Sequence, residues 1–328
     1  MGKAAVNTMT GELAVDELGV TLMHEHLVIG YPGWEAHTTV PGPGRDEMLA
    51  VCVDKVHAMQ ALGVQSMLDP CPNDLGRDVT LAAEVSVRTG FNIICATGLY
   101  KEDEGGAPHW HFMRAAGMAV EAMAELFIHE LTEGIGDTGV KAGIIKVATG
   151  MGRITEYEYD VLAAAAMAAV ETGAPITTHT DSGTMGLEQQ AFLVEKGVDP
   201  HRIIIGHSCG SDDHDYHMGI LGGGSYLGFD RFGLDMLAPD EQRVASLLAL
   251  LRKQQERGIV VSHDSVWCTR GQPFPLALME AASGSELFDP THFHRNIIPR
   301  LLAGGASQEQ IDTMLVDNPQ RFFSGIPR

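Results

Sequence analysis

Along the chain, short apolar runs alternate with longer stretches whose apolar residues recur at helical spacing. Eight runs read as strands: "VTLMHEH" (20–26), "VQSMLDP" (64–70), "NIICATG" (92–98), "GIIKVAT" (143–149), "PITTHT" (175–180), "RIIIGHS" (202–208), "SYLGFD" (225–230) and "GIVVSHD" (258–264). Helical patterns lie between and after them. "DEMLAVCVDKVHAMQALG" (46–63), "FMRAAGMAVEAMAELFIHELTE" (112–133) and "DPTHFHRNIIPRLLAGG" (289–305) are examples, and "YDVLAAAAMAAVETG" (159–173) closes on Gly173, a stop signal. Near-continuous apolar strands alternating with helices predict a parallel sheet covered on its outer face. Eight such units predict an α/β chain folded as a single (β/α)8 TIM barrel over residues 1–328. Residues 4–20 are left as a short N-terminal extension, expected to form a hairpin that caps the barrel floor. A doubly wound sheet would need a glycine fingerprint between a strand and a helix. "GIGDTG" (134–139) instead follows a helix and precedes a strand, so it reads as a helix-ending loop.

Composition narrows the function. The net charge is -21, from 22 Lys and Arg against 43 Asp and Glu. That balance disfavours nucleic acid and anionic membranes, both of which need a basic face. The 5 cysteines are odd in number and show no C-x-x-C spacing, so neither a disulfide framework nor a zinc ribbon is expected. The opening "MGKAAVNTMTGEL" lacks the apolar core of a signal peptide, and no apolar run reaches the roughly 18 residues of a membrane span. The expectation is a cytoplasmic protein acting on a small molecule.

In a barrel the chemistry sits at the C-terminal ends of the strands. The first predicted strand ends in His24 and His26, and the fourth carries Lys146. The fifth ends in His179, the sixth in His207, the seventh in Asp230 and Arg231, and the eighth in Asp264. Residues i and i+2 of a strand share a face, so His24 and His26 can both face the barrel interior while Glu25 faces outward. Imidazole and carboxylate suit zinc and similar divalent ions. Lys146 is the odd member, because an ammonium cannot ligate a metal. Burial beside two divalent ions would push its pKa down, and the neutral amine could then add carbon dioxide. The resulting carbamate is anionic and offers two oxygens. With Asp264 and a bridging hydroxide it would balance most of the charge of two ions. The cofactors expected are therefore two divalent metal ions (zinc, with cobalt, manganese or iron as alternatives) and N6-carboxylysine at Lys146. A second H-x-H, "HWH" (109–111), is read as lying in a loop without partner ligands.

Taken together, "TLMHEHL", "GIIKVATG", "PITTHTDSG", "RIIIGHS" and "VVSHDS" resemble the metal-binding motifs of the phosphotriesterase family of the amidohydrolase superfamily. "GRDVTLAAEVSVRTGFNIICATGLY" and "DNPQRFFS" extend the similarity over almost the whole chain. The resemblance implies a binuclear centre in which His24, His26 and Asp264 hold one ion and His179 and His207 the other. Carbamylated Lys146 and a hydroxide would bridge them. It also implies a homodimer. "LGFDRFG" carries Asp-Arg where phosphotriesterase-like lactonases do, whereas the dedicated organophosphate hydrolases carry Asp-His. Arg231 and Tyr100 therefore resemble the lactonase branch and are expected to bind substrate. The alternative for Arg231 is a strand-end salt bridge. Trp267 is a further candidate, either lining the pocket or capping the barrel rim. The loops 101–112 and 265–275 depart from the family pattern, so acyl-homoserine and other γ- or δ-lactones both stay open. The function expected is lactone opening by metal-hydroxide attack, with Asp264 as proton acceptor and phosphotriesterase activity as a by-product. The alternatives are a primary organophosphate triester hydrolase and a non-catalytic metal-containing binding protein.

Overall fold

The computed structural model describes residues 4–272 and 288–328. The chain opens with an antiparallel hairpin of β1 (Ala5–Thr8) and β2 (Gly11–Ala14). The predicted strands follow: β3 (Thr21–Leu22), β4 (Glu25–Ile29), β5 (Ser66–Asp69), β6 (Asn92–Gly98), β7 (Ile144–Thr149), β8 (Ile176–Thr180), β9 (Ile203–Ile205), β10 (Tyr226–Phe229), β11 (Ile259–Val261) and β12 (Ser265–Thr269). Eight of them form one sheet in the order β11-β10-β9-β8-β7-β6-β5-β3. Every pairing in it is parallel. The edges meet where Met23 N donates to Val261 O at 3.3 Å, which closes the TIM barrel.

Two predicted strands prove to be bent rather than straight. The first breaks at Met23 and His24, between β3 and β4. The last is interrupted at Asp264, whose φ of 52° is left-handed, and resumes as β12. β4 and β12 then pair in parallel as a ribbon, with Glu25 opposite Ser265 and Ile29 opposite Thr269. Asp264 N donates to His24 O at 3.0 Å, so the two bends are tied together.

Side-chain alternation divides each strand between two cores. On β7, Ile145 and Val147 pack outward among the helices, whereas Ile144 packs into an inner cluster with Leu68, Ile94, Ile204, Tyr226 and Val260. Val6, Val15 and Leu18 of the N-terminal segment and Phe322 near the C-terminus close that inner cluster from below. The hairpin therefore caps the barrel floor, as the sequence predicts. The opposite end of the lumen is left to polar residues.

The helices follow their local signals. Glu156–Thr172 starts in a capping box, in which Thr155 Oγ1 accepts from Glu158 N at 3.2 Å and Glu158 Oε2 accepts from Thr155 N at 2.9 Å. It stops at Gly173, whose φ is 74°. The single helix expected over 112–133 is instead two, Pro108–Ala115 and Ala119–Thr132, broken at left-handed Gly117. Pro108 at the first helical position starts the shorter one early. The "HWH" residues therefore lie on a helix rather than in a loop, where His111 stacks on Tyr157. "GIGDTG" does connect a helix to β7. The segment after Asp289 contains a π-helical turn, Phe293–Ile297, just before Pro299, which has no N–H to continue the α pattern. Among the described residues, no helix is long and apolar enough to cross a membrane.

Gly98 shows how tightly the top of the barrel is built. It pairs with Lys146, has φ +130°, and a Cβ there would lie 1.8 Å from Lys146 O. Gly98→Ala is expected to destabilise the protein by at least about 3 kcal/mol, because the obstacle is backbone and the φ is unfavourable. Gly222, where a Cβ meets nothing within 4 Å, is the control. Gly222→Ala should stay within about 1 kcal/mol of wild type in the same urea titration.

Candidate metal centre

The strand ends bring together six of the residues singled out in the sequence. His24, His26, Lys146, His179 and His207 are buried, and Asp264 nearly so. Three imidazole nitrogens converge on the Asp264 carboxylate. His26 Nε2 and His24 Nε2 lie 3.3 and 3.4 Å from Oδ1, and His207 Nε2 lies 3.8 Å from Oδ2. His179 packs against His207, with ring centroids 4.6 Å apart. Lys146 Nζ sits 3.3 Å from His24 Nε2.

A second layer of carboxylates fixes these rings. Asp230 Oδ2 is 3.1 Å from His24 Nδ1, and its Oδ1 is 2.9 Å from His207 Nδ1. Asp69 Oδ1 is 3.2 Å from His26 Nδ1. A carboxylate oxygen accepts, so each of these Nδ1 atoms carries the hydrogen, and in the neutral rings of His24 and His207 the lone pair is left on Nε2. That is the arrangement by which proteins orient histidines for a metal. Glu25 completes the support from the outer side of β4. It is fully buried and accepts from Ser262 Oγ at 2.7 Å, His263 Nδ1 at 2.6 Å and His263 N at 3.0 Å.

The electrostatics fit cation binding. Burial pulls His207 well below the usual imidazole range and Arg231 adds to the effect, while burial takes His179 down to about 3. Both rings are neutral donors at pH 7. His26 differs: burial lowers it, but its bonds to Asp264 and Asp69 outweigh burial and hold it well above the usual range. Burial works against the charge of Asp264, but the Arg231 guanidinium and the bond from His26 hold it well below the usual carboxylate range. Burial brings the Lys146 ammonium down to about 8, within reach of the neutral amine at ordinary pH. His24, His26 and Asp264 place donor atoms within 4.8 Å of one another, a spacing that could hold a metal ion.

A cavity of about 270 Å³ opens above this cluster. Its floor includes His26, His179, Arg231 and Asp264, and Ile29, Leu75, Leu234 and Val266 line its apolar wall. Tyr100 and Arg231 both reach it. The Tyr100 hydroxyl is 3.4 Å from His179 Nδ1, and Arg231 Nε donates to Asp264 Oδ2 at 2.8 Å. Trp267 does not line it. On β12 the alternation turns Val266 to the cavity and Trp267 into the helix-packed core, where its Nε1 donates to Ser265 Oγ at 2.9 Å. Residues 273–275 of the expected rim loop lie outside the described residues. Asp69, Asp181 and Lys101 were not singled out from sequence. Asp69 had a usable signal, since it ends the strand "VQSMLDP" as the other site residues end theirs.

A closed parallel barrel with buried histidines and an aspartate at its strand ends defines a class, the metal-dependent hydrolases of the TIM-barrel type. The comparisons narrow it. Residues 4–323 match the model of the phosphotriesterase family, and the chain belongs to that family. It is 36% identical over 322 residues to a "phosphotriesterase homology protein" of Mycobacterium tuberculosis, covering 97% of each chain. It superposes with TM-score 0.92 on an organophosphorus hydrolase from Deinococcus radiodurans, at 39% identity over 98% of this chain and 97% of that one. A mutant of a Deinococcus radiodurans PTE-like lactonase gives TM-score 0.91 at 38% identity, over 97% and 99% of the two chains.

Beneath Tyr100, Asp74 accepts from Tyr100 N at 2.9 Å through Oδ1, while its buried Oδ2 has no hydrogen-bond partner. Burial pushes this carboxyl up to about 6. A carboxyl raised on folding contributes its full stability below the unfolded pKa and loses it as pH rises through the folded value. Wild type should therefore lose up to about 3 kcal/mol relative to Asp74→Asn between pH 4 and pH 7. Parallel urea titrations of the two proteins across that range measure the difference, and parallel profiles would contradict it.

Proposed function

We propose that the chain is a lactone-opening hydrolase that works with two divalent ions. The observation that carries this reading is the Arg231 guanidinium, fixed on Asp264 at 2.8 Å in the cavity floor. It offers rigid donors to oxygens while taking up space that a bulky substrate would need. His24, His26 and Asp264 are the proposed ligands of one ion and His179 and His207 of the other, with zinc, cobalt, manganese or iron as occupants. Carbamylated Lys146 is the proposed bridge. The burial of Lys146, which brings its ammonium down to about 8 and so raises the share of free amine, supports that modification, in which the amine nitrogen bonds carbon dioxide and releases one proton. Two ions bound there would supply an activated water at neutral pH and Lewis-acid polarisation of the ester carbonyl.

The chain's own residues do the rest. Asp264 takes the proton of the attacking water and returns it to the leaving alkoxide. Arg231 holds the carboxylate in place and directs its remaining donors to the lactone. The Tyr100 hydroxyl orients the ring from the opposite side, and the apolar wall takes the substituent. About 270 Å³ is at the small end for ligand pockets, which suits a single ring better than a triester with three substituents. The setting this reading assumes is a cytoplasmic homodimer. A primary organophosphate hydrolase is the second reading, motivated by the solved relative that carries that name.

Elemental analysis should find about two divalent ions per chain. Chelation should abolish activity, and zinc, cobalt or manganese should restore it. On one metal-loaded preparation, some γ- or δ-lactone should be turned over more efficiently than paraoxon by orders of magnitude, each factor of ten being about 1.4 kcal/mol. Arg231→His should narrow that gap mainly by slowing lactone turnover. A wild type that hydrolyses paraoxon better than every lactone tested would favour the second reading instead.

A further inference from the structure

The four histidines of the centre are not held in the same way. His24, His26 and His207 each give Nδ1 to a carboxylate. His179 is reversed: its Nε2 lies 2.7 Å from Asp181 Oδ1, and its Nδ1 faces the Tyr100 hydroxyl at 3.4 Å. Asp181 sits two residues further on, at the start of the turn Asp181–Gly183. Its other oxygen, Oδ2, accepts from Lys101 Nζ at 2.9 Å. Lys101 is 7% exposed, and its ammonium also meets Glu104 at 2.9 Å. Such a buried ammonium keeps Asp181 charged and in place, and a charged Asp181 can only accept.

The structure assigns Asp181 and Lys101 as positioning residues that hold His179 in the Nε2–H tautomer and so present Nδ1 as its donor to a metal. This inference rests on the metal reading above. It makes the ion shared by His179 and His207 depend on a carboxylate–lysine pair in which neither partner touches an ion. Asp69 supports the opposite ion alone, through His26, whereas Asp230 supports both, through His24 and His207.

Two measurements on the full chain test it. In metal-free protein labelled with ¹⁵N-histidine, two-bond ¹H–¹⁵N spectra should show His179 as the Nε2–H tautomer, and Asp181→Ala should populate the Nδ1–H form. In metal-loaded protein, Asp181→Ala should release one of two ions to a chelator about 10–100-fold faster while the other leaves at the wild-type rate. Lys101→Met should act in the same direction with a smaller change. Asp181→Asn, which keeps the shape and one acceptor oxygen, should fall between wild type and Asp181→Ala, and it carries the test if the alanine variant fails to fold. A wild-type Nδ1–H tautomer, or two ions released at unchanged rates from every variant, would overturn the assignment. A wild type that takes up no ion would instead overturn the metal reading, while the spectra still report on what Asp181 does to His179.

Discussion

The centre is organised around one carboxylate. Asp230 spreads its two oxygens across the barrel, one to His24 at the bend between β3 and β4 and the other to His207 after β9. Oδ1 also accepts from His207 N at 2.9 Å, so it fixes the backbone as well as the ring. His24 and His207, distant in sequence, are thus set to each other by a single side chain. The space for it comes from glycine. A Cβ at Gly228 would lie 2.5 Å from Asp230 Oδ2, and one at Gly206 would lie 2.0 Å from Thr178 O. The glycines of "IIIGHS" and "LGFD" are therefore part of the site, although they carry no chemistry.

The barrel's two ends have opposite physical characters. The floor is apolar and closed by the hairpin and Phe322. The top holds polar groups out of water and bends the backbone to aim them. His207 and Asp264 are both left-handed, with φ of 58° and 52°. Neither is a glycine, and conformations of this kind cost on the order of 1–3 kcal/mol each. The hydrogen bonds of Asp230 to His207, and of His24 O to Asp264 N, offset that cost locally. The strain falls on two proposed ligands of the ions, where a straight strand would point the side chain elsewhere.

This contrast explains what could be read from the sequence. Strand and helix periodicity depend on local pattern, so the eight-unit barrel, the floor hairpin and the stop at Gly173 were legible. So were the strand-end histidines and Lys146, because a barrel sends its strand ends to one place. Glu25 between two histidines reads as outward-facing, and it is; that it is fully buried and clamps the segment from Ser262 to Ser265 depends on contacts about 240 residues away in sequence. The bends at Met23 and Asp264 were not legible either, since they arise from strand closure rather than local preference. Trp267 misled for a related reason. The last strand is expected to end at Asp264, which would put Trp267 in a rim loop, but β12 continues and alternation turns the indole outward into the helix-packed core. Asp181 and Lys101 lie on different segments, and only the fold brings them together on His179.

Arg231 was open between a substrate residue and a structural ion-pair partner. The geometry makes the two descriptions compatible. Its Nε is committed to Asp264 Oδ2, which leaves the two terminal nitrogens of the fork as further donors. Asp264 Oδ1 is left for the imidazole side, where His24 and His26 lie. Arg231 thus turns Oδ1 of Asp264 toward His24 and His26, while Oδ2 stays between the guanidinium and His207. A guanidinium is also permanently charged, so it favours the carboxylate form of Asp264 even within this buried cluster. A residue at this position therefore touches both the cavity and the proposed proton acceptor. Exchanging it for an imidazole changes cavity space, charge and the hold on Asp264 in one step, so its effect on the proposed lactone opening acts through the Asp264 carboxylate as well as through the cavity.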